Sequence, residues 1–195
     1  MMYHESGQEK MSEIKLIKPS AEYAAKIAEY RDEFITYNDY FTVCDVNRIP
    51  GAERILEFDR AIDWIENCRL CEHAETNPYE DCPIATQYIA VRKSDDRIVG
   101  MIHLRHELSN EELRNFDGNI GYSVRPSERL KGYAKELLRL CLEKAREYRL
   151  EKVLLCCVDT NLGSRKAILA NGGEYECTNY GEESRLHVEL YWILI

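Results

Sequence analysis

The feature that most constrains this chain is the run from Gly132 to Tyr148, where Ala134, Leu137, Leu138, Cys141, Leu142 and Ala145 fall at i, i+3, i+4, i+7, i+8 and i+11. That spacing lines apolar side chains along one stripe of a helix and leaves charge on the other side, so the stripe must be laid on another element. Strands bracket the helix. Asn119 to Val124 reads as a strand that Pro126 ends, because proline has no N–H for the ladder. Val153 to Val158 is a continuous apolar run of strand length, the pattern of a strand buried on both faces. Layers of helix and sheet make an α/β arrangement, and 195 residues suffice for one such domain around a single core.

The flanking segments extend the pattern. Ile14, Leu16 and Ile17 form a short strand ended by Pro19, and Ser20 stands at an N-cap position before Ala24, Ile27, Ala28, Phe34 and Ile35 at helical spacing. Asn38 to Pro50 reads as irregular. A second helix is predicted from about Ala52 to Cys68, with Ile55, Leu56, Phe58, Ile62, Trp64 and Ile65 on its apolar side, and Arg69 to Pro83 as a polar loop. Gln87 to Lys93 and Arg97 to Glu107 predict an antiparallel hairpin about Ser94-Asp95-Asp96. Ser109 to Asp117 is a polar crossing. Asn161 to Asn171 reads as a short helix stopped by Gly172-Gly173, followed by strands near Glu174 to Tyr180 and Arg185 to Leu194 joined at Gly181. Residues 1–12 read as a flexible extension and 13–195 as one domain, with 69–83 a cysteine-containing insertion.

Lys and Arg number 26 against 35 Asp and Glu, a net charge of −9, which disfavours nucleic acid and anionic lipid as partners. No apolar run approaches the roughly 20 residues that span a bilayer, and Met1 to Lys10 is polar, unlike a signal peptide. A soluble cytoplasmic protein is expected, with its eight cysteines reduced. One stretch breaks the acidic balance: Arg125, Arg129, Lys131 and Lys135 cluster just before and inside the start of the amphipathic helix. Strand, glycine-containing loop and helix start is a phosphate-binding geometry, because the first helical N–H groups lack internal partners and sit at the positive end of the dipole. The glycines are too few for a P-loop or a dinucleotide fingerprint.

Arg129-x-x-Gly132-x-Ala134 resembles the Arg/Gln-x-x-Gly-x-Gly/Ala signature of the GNAT N-acetyltransferase superfamily. Ile120-Gly121-Tyr122-Ser123-Val124-Arg125-Pro126 is similar to the strand before that signature there. Asp159-Thr160-Asn161-Leu162-Gly163-Ser164-Arg165-Lys166 with Asn171-Gly172-Gly173 looks like its second half. In element order the likeness runs from Ile14 to Ile195, and it is specific from Asn119 to Gly173. It extends to Ile98-Val99-Gly100 and Arg105-His106, which have counterparts in uncharacterised acetyltransferases of the superfamily.

The resemblance implies a mixed, mostly antiparallel sheet with central splayed parallel strands, here Asn119–Val124 and Val153–Val158, flanked by helices on both faces. It implies acetyl-CoA as acetyl donor, with the pyrophosphate on the amides from Leu130 through Lys131, Gly132, Tyr133 and Ala134 to Lys135, and Arg129 beside them. The pantetheine would lie along Ser123 and Val124, the N–H near Val124 polarising the thioester carbonyl, with Asn161 and Ser164 close by. The implied reaction is direct attack of a primary amine on the thioester, without a covalent enzyme intermediate. The phenol that many members carry seven residues after the asparagine is replaced by Ile168.

Candidate bases are His103, His106 and Glu107 on the third strand, with Asp117 and Glu128 behind them and His187 and Tyr191 weaker. The acidic residues Glu22, Glu29, Asp32, Glu33, Asp39 and Asp45 are candidates for attracting a cationic small-molecule or peptide amine. The final strand, Tyr191 to Ile195, could pair with or pack against a second subunit to give a homodimer. Cys68, Cys71, His73 and Cys82 are a zinc candidate on spacing, while Cys141, Cys156 and Cys157 read as packing residues and Cys44 and Cys177 carry no signal. Two other readings stay open: a coenzyme A-binding sensor without catalysis, and a zinc-stabilised interaction module.

Overall fold

A computed structural model describes residues 12–39, 41–43, 46–80 and 82–195, so residues 1–11 of the N-terminal extension, Cys44 and Asp45 lie outside the described residues. The amphipathic run forms α3 (Tyr133–Glu147), and Leu137, Leu138, Cys141 and Ala145 are completely buried. Burial of each leucine contributes on the order of 1.5–3 kcal/mol. The stripe rests on a sheet built from β1 (Ile14–Ile17), β4 (Ala85–Arg92), β5 (Ile98–Arg105) and β6 (Ile120–Val124), in that order and antiparallel throughout. Successive side chains of a strand alternate faces. Tyr88 and Ala90 therefore pack with α3, and Ile89 and Val91 pack with α1 (Ala24–Thr36) and α2 (Ala61–Leu70) on the opposite face.

A second antiparallel sheet is ordered β7 (Lys152–Val158), β9 (Leu186–Leu194), β8 (Glu174–Gly181), with α4 (Leu162–Leu169) linking β7 to β8. Among the described residues the sheets join at one bridge, Gly118 opposite Leu155, and that bridge is antiparallel; β6 and β7, the strands expected to be central, parallel and splayed, belong to separate sheets with no ladder between them. A π-helical turn at Leu113–Asp117 delivers Gly118 against the Leu154 backbone so closely that any Cβ would clash. Asn119 fastens the junction: its N–H donates to the Leu154 carbonyl at 2.7 Å, and its Oδ1 accepts from the Leu154 N–H at 2.8 Å.

Other differences from expectation have local causes. The predicted helix 52–68 is broken, with a 3₁₀ turn at Ile55–Glu57 and α2 starting only at Ala61, because Phe58 and Arg60 are extended and Arg54 is left-handed. Within the irregular stretch 38–50 a small hairpin forms from β2 (Phe41–Val43) and β3 (Val46–Arg48). Ser20 makes no side-chain cap; its carbonyl instead accepts from Tyr23 N–H to start a 3₁₀ turn. Strand β9 is central in its sheet, paired on both sides with β7 and β8, so it offers no free edge for a second subunit to pair with.

Candidate active site

Register dictates which backbone groups face the space between the sheets. Along β5 and β6, Gly100 pairs with Val124 and Leu104 with Ile120, while Arg125 N–H bonds Val99 O and Arg105 N–H bonds Asn119 O. Only alternate residues of an antiparallel ladder exchange bonds with one neighbour. Gly121, Ser123 and Arg125 thus direct their amides to β5, and Ile120, Tyr122 and Val124 direct theirs away from it, toward β7. On β7, Glu151 and Asp159 bond Ile195 and His187, so the amides of Leu154, Cys156 and Val158 face back toward β6. Two strand edges confront each other with no ladder between them beyond the single bridge.

A cavity of about 980 Å³ occupies this opening, reaching from Arg129 and Gly132 at one end to Glu53 and Asp117 at the other. At the loop end the backbone turns through two left-handed residues, Leu130 (φ 62°) and Gly132 (φ 87°), immediately before α3. A Cβ at Gly132 would meet nothing within 4 Å, so glycine stands there for its backbone angle. Arg129, Leu130, Gly132, Tyr133 and Ala134 line the cavity, whereas Lys131 and Lys135 do not. The basic cluster is largely neutralised within the protein. Arg125 is buried and donates to Glu33 at 2.6 Å, Lys131 pairs with Glu128 at 2.8 Å, and Arg129 pairs with Asp39. Burial raises the Glu33 pKa, but bonds from Arg125 and Ser127 outweigh it and hold the carboxyl below 4.5.

Ser123 turns its side chain away, 2.9 Å from the buried Tyr30 hydroxyl, and its amide serves β5. Asn161 caps α4, its Oδ1 accepting from Ser164 N–H at 3.0 Å. Ser164 Oγ lies 2.8 Å from the Tyr122 hydroxyl, and both residues line the cavity. Burial pushes the Tyr122 phenol up to about 12, with the Ser164 bond opposing, so it is protonated at neutral pH.

The far end brings the base candidate Asp117 and Arg105 together with Glu53, which the sequence patterns did not single out. Gly51 (φ 74°) packs flat on β6, where a Cβ would collide with the Tyr122 backbone and lie 2.7 Å from the Gly121 and Met101 carbonyl oxygens. This seats Glu53 on the cavity wall, 3.4 Å from the buried Arg105 guanidinium, with Asp117 3.9 Å from the same group. Burial raises the Asp117 pKa, Arg105 lowers it and Glu53 raises it, for a net upward shift. The Pro50-Gly51 pair was the available sequence signal for such a turn.

None of His103, His106 and Glu107 lines this cavity. His103 is driven well below its ordinary pKa by burial and then by Arg105 and His106, and its Nδ1 is buried without a hydrogen-bond partner. His106 stacks on Tyr148 with ring centroids 4.1 Å apart and reaches Thr86 at 3.0 Å. Glu107 borders a separate shallow pocket beside Glu80 and Cys82. Glu128 is held by Arg92, Arg97 and Lys131, the Tyr191 hydroxyl donates to Glu189, and His187 lies against Tyr180. Of the described acidic residues expected near the acceptor, Asp39 alone is on the wall. Cys68 packs with Trp64 in the α1–α2 core, and among the described residues no three His, Cys, Asp or Glu are gathered to hold a metal. Cys156 and Cys157 do point to opposite faces, into separate clusters.

Two antiparallel sheets opening on a helix-start loop define an acetyltransferase-type fold, and solved structures share it. The *Vibrio fischeri* ribosomal-protein-S5-alanine acetyltransferase matches at TM-score 0.64 and 15% identity over 95% of this chain and 94% of its own. *Mycobacterium smegmatis* RimJ, solved with CoA-disulfide, matches at 0.65 and 16% over 93% and 81%. The microcin C7 self-immunity acetyltransferase MccE, solved with acetyl-CoA and AMP, matches at 0.63 and 14% over 94% and 93%. The chain belongs to the acetyltransferase (GNAT) family, whose model matches residues 58–172. No curated protein matches the sequence as a relative. Among the described residues no helix is long and apolar enough to cross a membrane.

Proposed function

We propose that the protein is an acetyl-CoA-dependent N-acetyltransferase that moves the acetyl group to a primary amine by direct attack. The observation that carries this reading is the pair of confronting strand edges: Tyr122 and Val124 on one side and Cys156 on the other present amides into a cavity that ends at the α3 loop. An elongated ligand with an amide-containing arm and a pyrophosphate fits that arrangement. The arm pairs with the strand edges, and the phosphates meet the orphan N–H groups of the first turn of α3 beside Arg129. The N–H of Val124 is placed to polarise a carbonyl.

The acceptor enters from the end where Glu53, Arg105 and Asp117 meet. An ammonium cannot attack, so a carboxylate must accept its proton, directly or through water. Asp117 and Glu53 take that role here in place of the histidines, and Asp117, whose pKa is raised by burial, is the first choice. The net acidic wall suits a cationic amine. Proteins of this fold include one named for an alanine of a ribosomal protein, so a polypeptide N-terminus belongs on the acceptor panel beside small amines. Calorimetric titration with acetyl-CoA tests the reading: saturable binding that Arg129→Ala weakens supports it, and no heat at millimolar ligand removes it.

A further inference from the structure

We propose that Arg92 is a positioning residue for the donor: by bridging Glu128 and Tyr133 it holds the loop before α3 in the shape that receives the pyrophosphate. The inference rests on the N-acetyltransferase reading above and deepens it by naming what builds the donor end. Arg92 closes β4, 36 residues before Glu128 and 41 before Tyr133. Its own hairpin fixes it first. Nε and Nη2 donate to the two Asp95 carboxylate oxygens at 2.9 and 2.6 Å, a two-point grip that sets the plane of the guanidinium. Nη1 lies outside that grip, and it donates to Glu128 Oε2 at 2.8 Å and to the Tyr133 hydroxyl at 3.2 Å. The Arg92 side chain is 19% exposed and that of Glu128 7%, so water competes weakly for the contact.

The two contacts fall on either side of the turn that faces the cavity. Glu128 ends the 3₁₀ turn Pro126–Glu128, and Tyr133 is the first residue of α3. Between them Leu130 and Gly132 are both left-handed, a conformation that disfavours leucine. Packing does little to hold it, because Leu130 is fully exposed and a Cβ at Gly132 would meet nothing within 4 Å. The shape is imposed from the ends. Arg97 and Lys131 also approach Glu128, at 3.2 and 2.8 Å, but of these three cations Arg92 is the one that also bonds Tyr133. Arg92 is not on the cavity wall, so it acts through the loop. The amides from Leu130 into the first turn of α3 are those the phosphates need. A loop fixed in advance loses less freedom when a ligand binds, so the clamp contributes affinity without touching the ligand.

The test measures wild type, Arg92→Ala, Tyr133→Phe and the double variant against two ligands. Acetyl-CoA is titrated by calorimetry, and S-acetylpantetheine, which keeps the thioester arm and lacks the pyrophosphate, is measured by competition against it. Arg92→Ala should weaken acetyl-CoA about tenfold, the effect of one or two side chains that must be ordered on binding, and leave S-acetylpantetheine within about twofold. Tyr133→Phe removes only the hydroxyl, so it should weaken acetyl-CoA about threefold, the worth of one hydrogen bond, and leave S-acetylpantetheine unmoved. That variant carries the test if Arg92→Ala fails to fold. Because both changes open one clamp, the double variant should bind acetyl-CoA no more weakly than Arg92→Ala. Unchanged acetyl-CoA affinity overturns the assignment, and so do losses that multiply in the double variant. An equal loss for both ligands also overturns it and makes Arg92 a general structural residue. Wild type that fails to bind acetyl-CoA overturns the underlying reading instead, and the wild-type titration distinguishes the two failures.

Discussion

Arg125 at the end of β6 donates to Glu33 of α1 at 2.6 Å; the Arg125 side chain is buried, 6% exposed, and that of Glu33 is partly buried, 14% exposed. Glu33 also accepts from Ser127 N–H at 2.8 Å, so one carboxylate of α1 ties down the segment that leads into the α3 loop. Removing one partner of a buried pair strands the other charge, which typically costs about 3–5 kcal/mol. Glu33→Ala should therefore lose about that much stability in urea denaturation followed by circular dichroism. Because the folded carboxyl is held below 4.5, its contribution is complete above that pH and fades as the pH falls through the folded value. Wild type and variant should converge in stability in acid.

Gly51→Ala should be harmful for a reason visible only in three dimensions. The new Cβ would strike backbone atoms of β5 and β6 at a residue already in the left-handed region, so overpacking and strain together cost about 2–4 kcal/mol. Thermal denaturation reads the loss. Because the same loop seats Glu53, kcat/KM should fall by more than stability alone explains when measured at a temperature where the variant is folded.

Arg129→Ala should raise the dissociation constant for acetyl-CoA about ten- to hundredfold, the worth of one charge-assisted contact of about 1.5–3 kcal/mol. Asp39→Asn should do the reverse on a smaller scale, since it frees Arg129 from its carboxylate partner. Lys131→Ala should change affinity little, because that side chain is off the cavity wall. Calorimetry of the three variants checks the order.

Asp117→Asn should cut kcat about 10²–10⁴-fold, the usual contribution of a general base. The base acts deprotonated, so wild-type kcat/KM should rise with pH on the acid side, at a position above the ordinary aspartate value of 3.8 because burial shifts Asp117 upward. The acid limb should vanish in the variant. His103→Asn and His106→Asn should keep that limb, as neither residue faces the cavity.

Much of this was legible in the chain. The i, i+3, i+4 stripe from Ala134 to Ala145 gave α3 nearly to the residue, and the turn residues Ser94-Asp95-Asp96 gave the β4–β5 hairpin, because both signals are local and repeat. The positions of Arg129, Gly132 and Ala134 at the start of α3 and of Asn161 at the start of α4 were legible through the resemblance to the family signature. What spacing could not carry was pairing across the fold. The cation cluster read as a free positive patch, yet Arg125 and Lys131 are matched by Glu33 and Glu128. Histidine chemistry drew attention to His103 and His106, but strand alternation and helix packing buried one and stacked the other elsewhere. Glu53 reached the site only because Gly51 lets a loop lie flat on β6, a contact between residues about seventy apart in sequence.

The central claim is acetyl transfer from acetyl-CoA to an amine in the cavity between the sheets. The most direct measurement is free-thiol release from acetyl-CoA across a panel of diamines, amino sugars and peptides with free N-termini, with mass spectrometry of the acceptor. The account predicts thiol release that depends on one class of amine, matched mole for mole by a 42 Da gain on that amine as a hydrogen gives way to an acetyl group, about the mass such chemistry requires, and abolished with Asp117→Asn. Tight acetyl-CoA binding with no acceptor-dependent thiol release on any amine would contradict it and leave a coenzyme A sensor in its place.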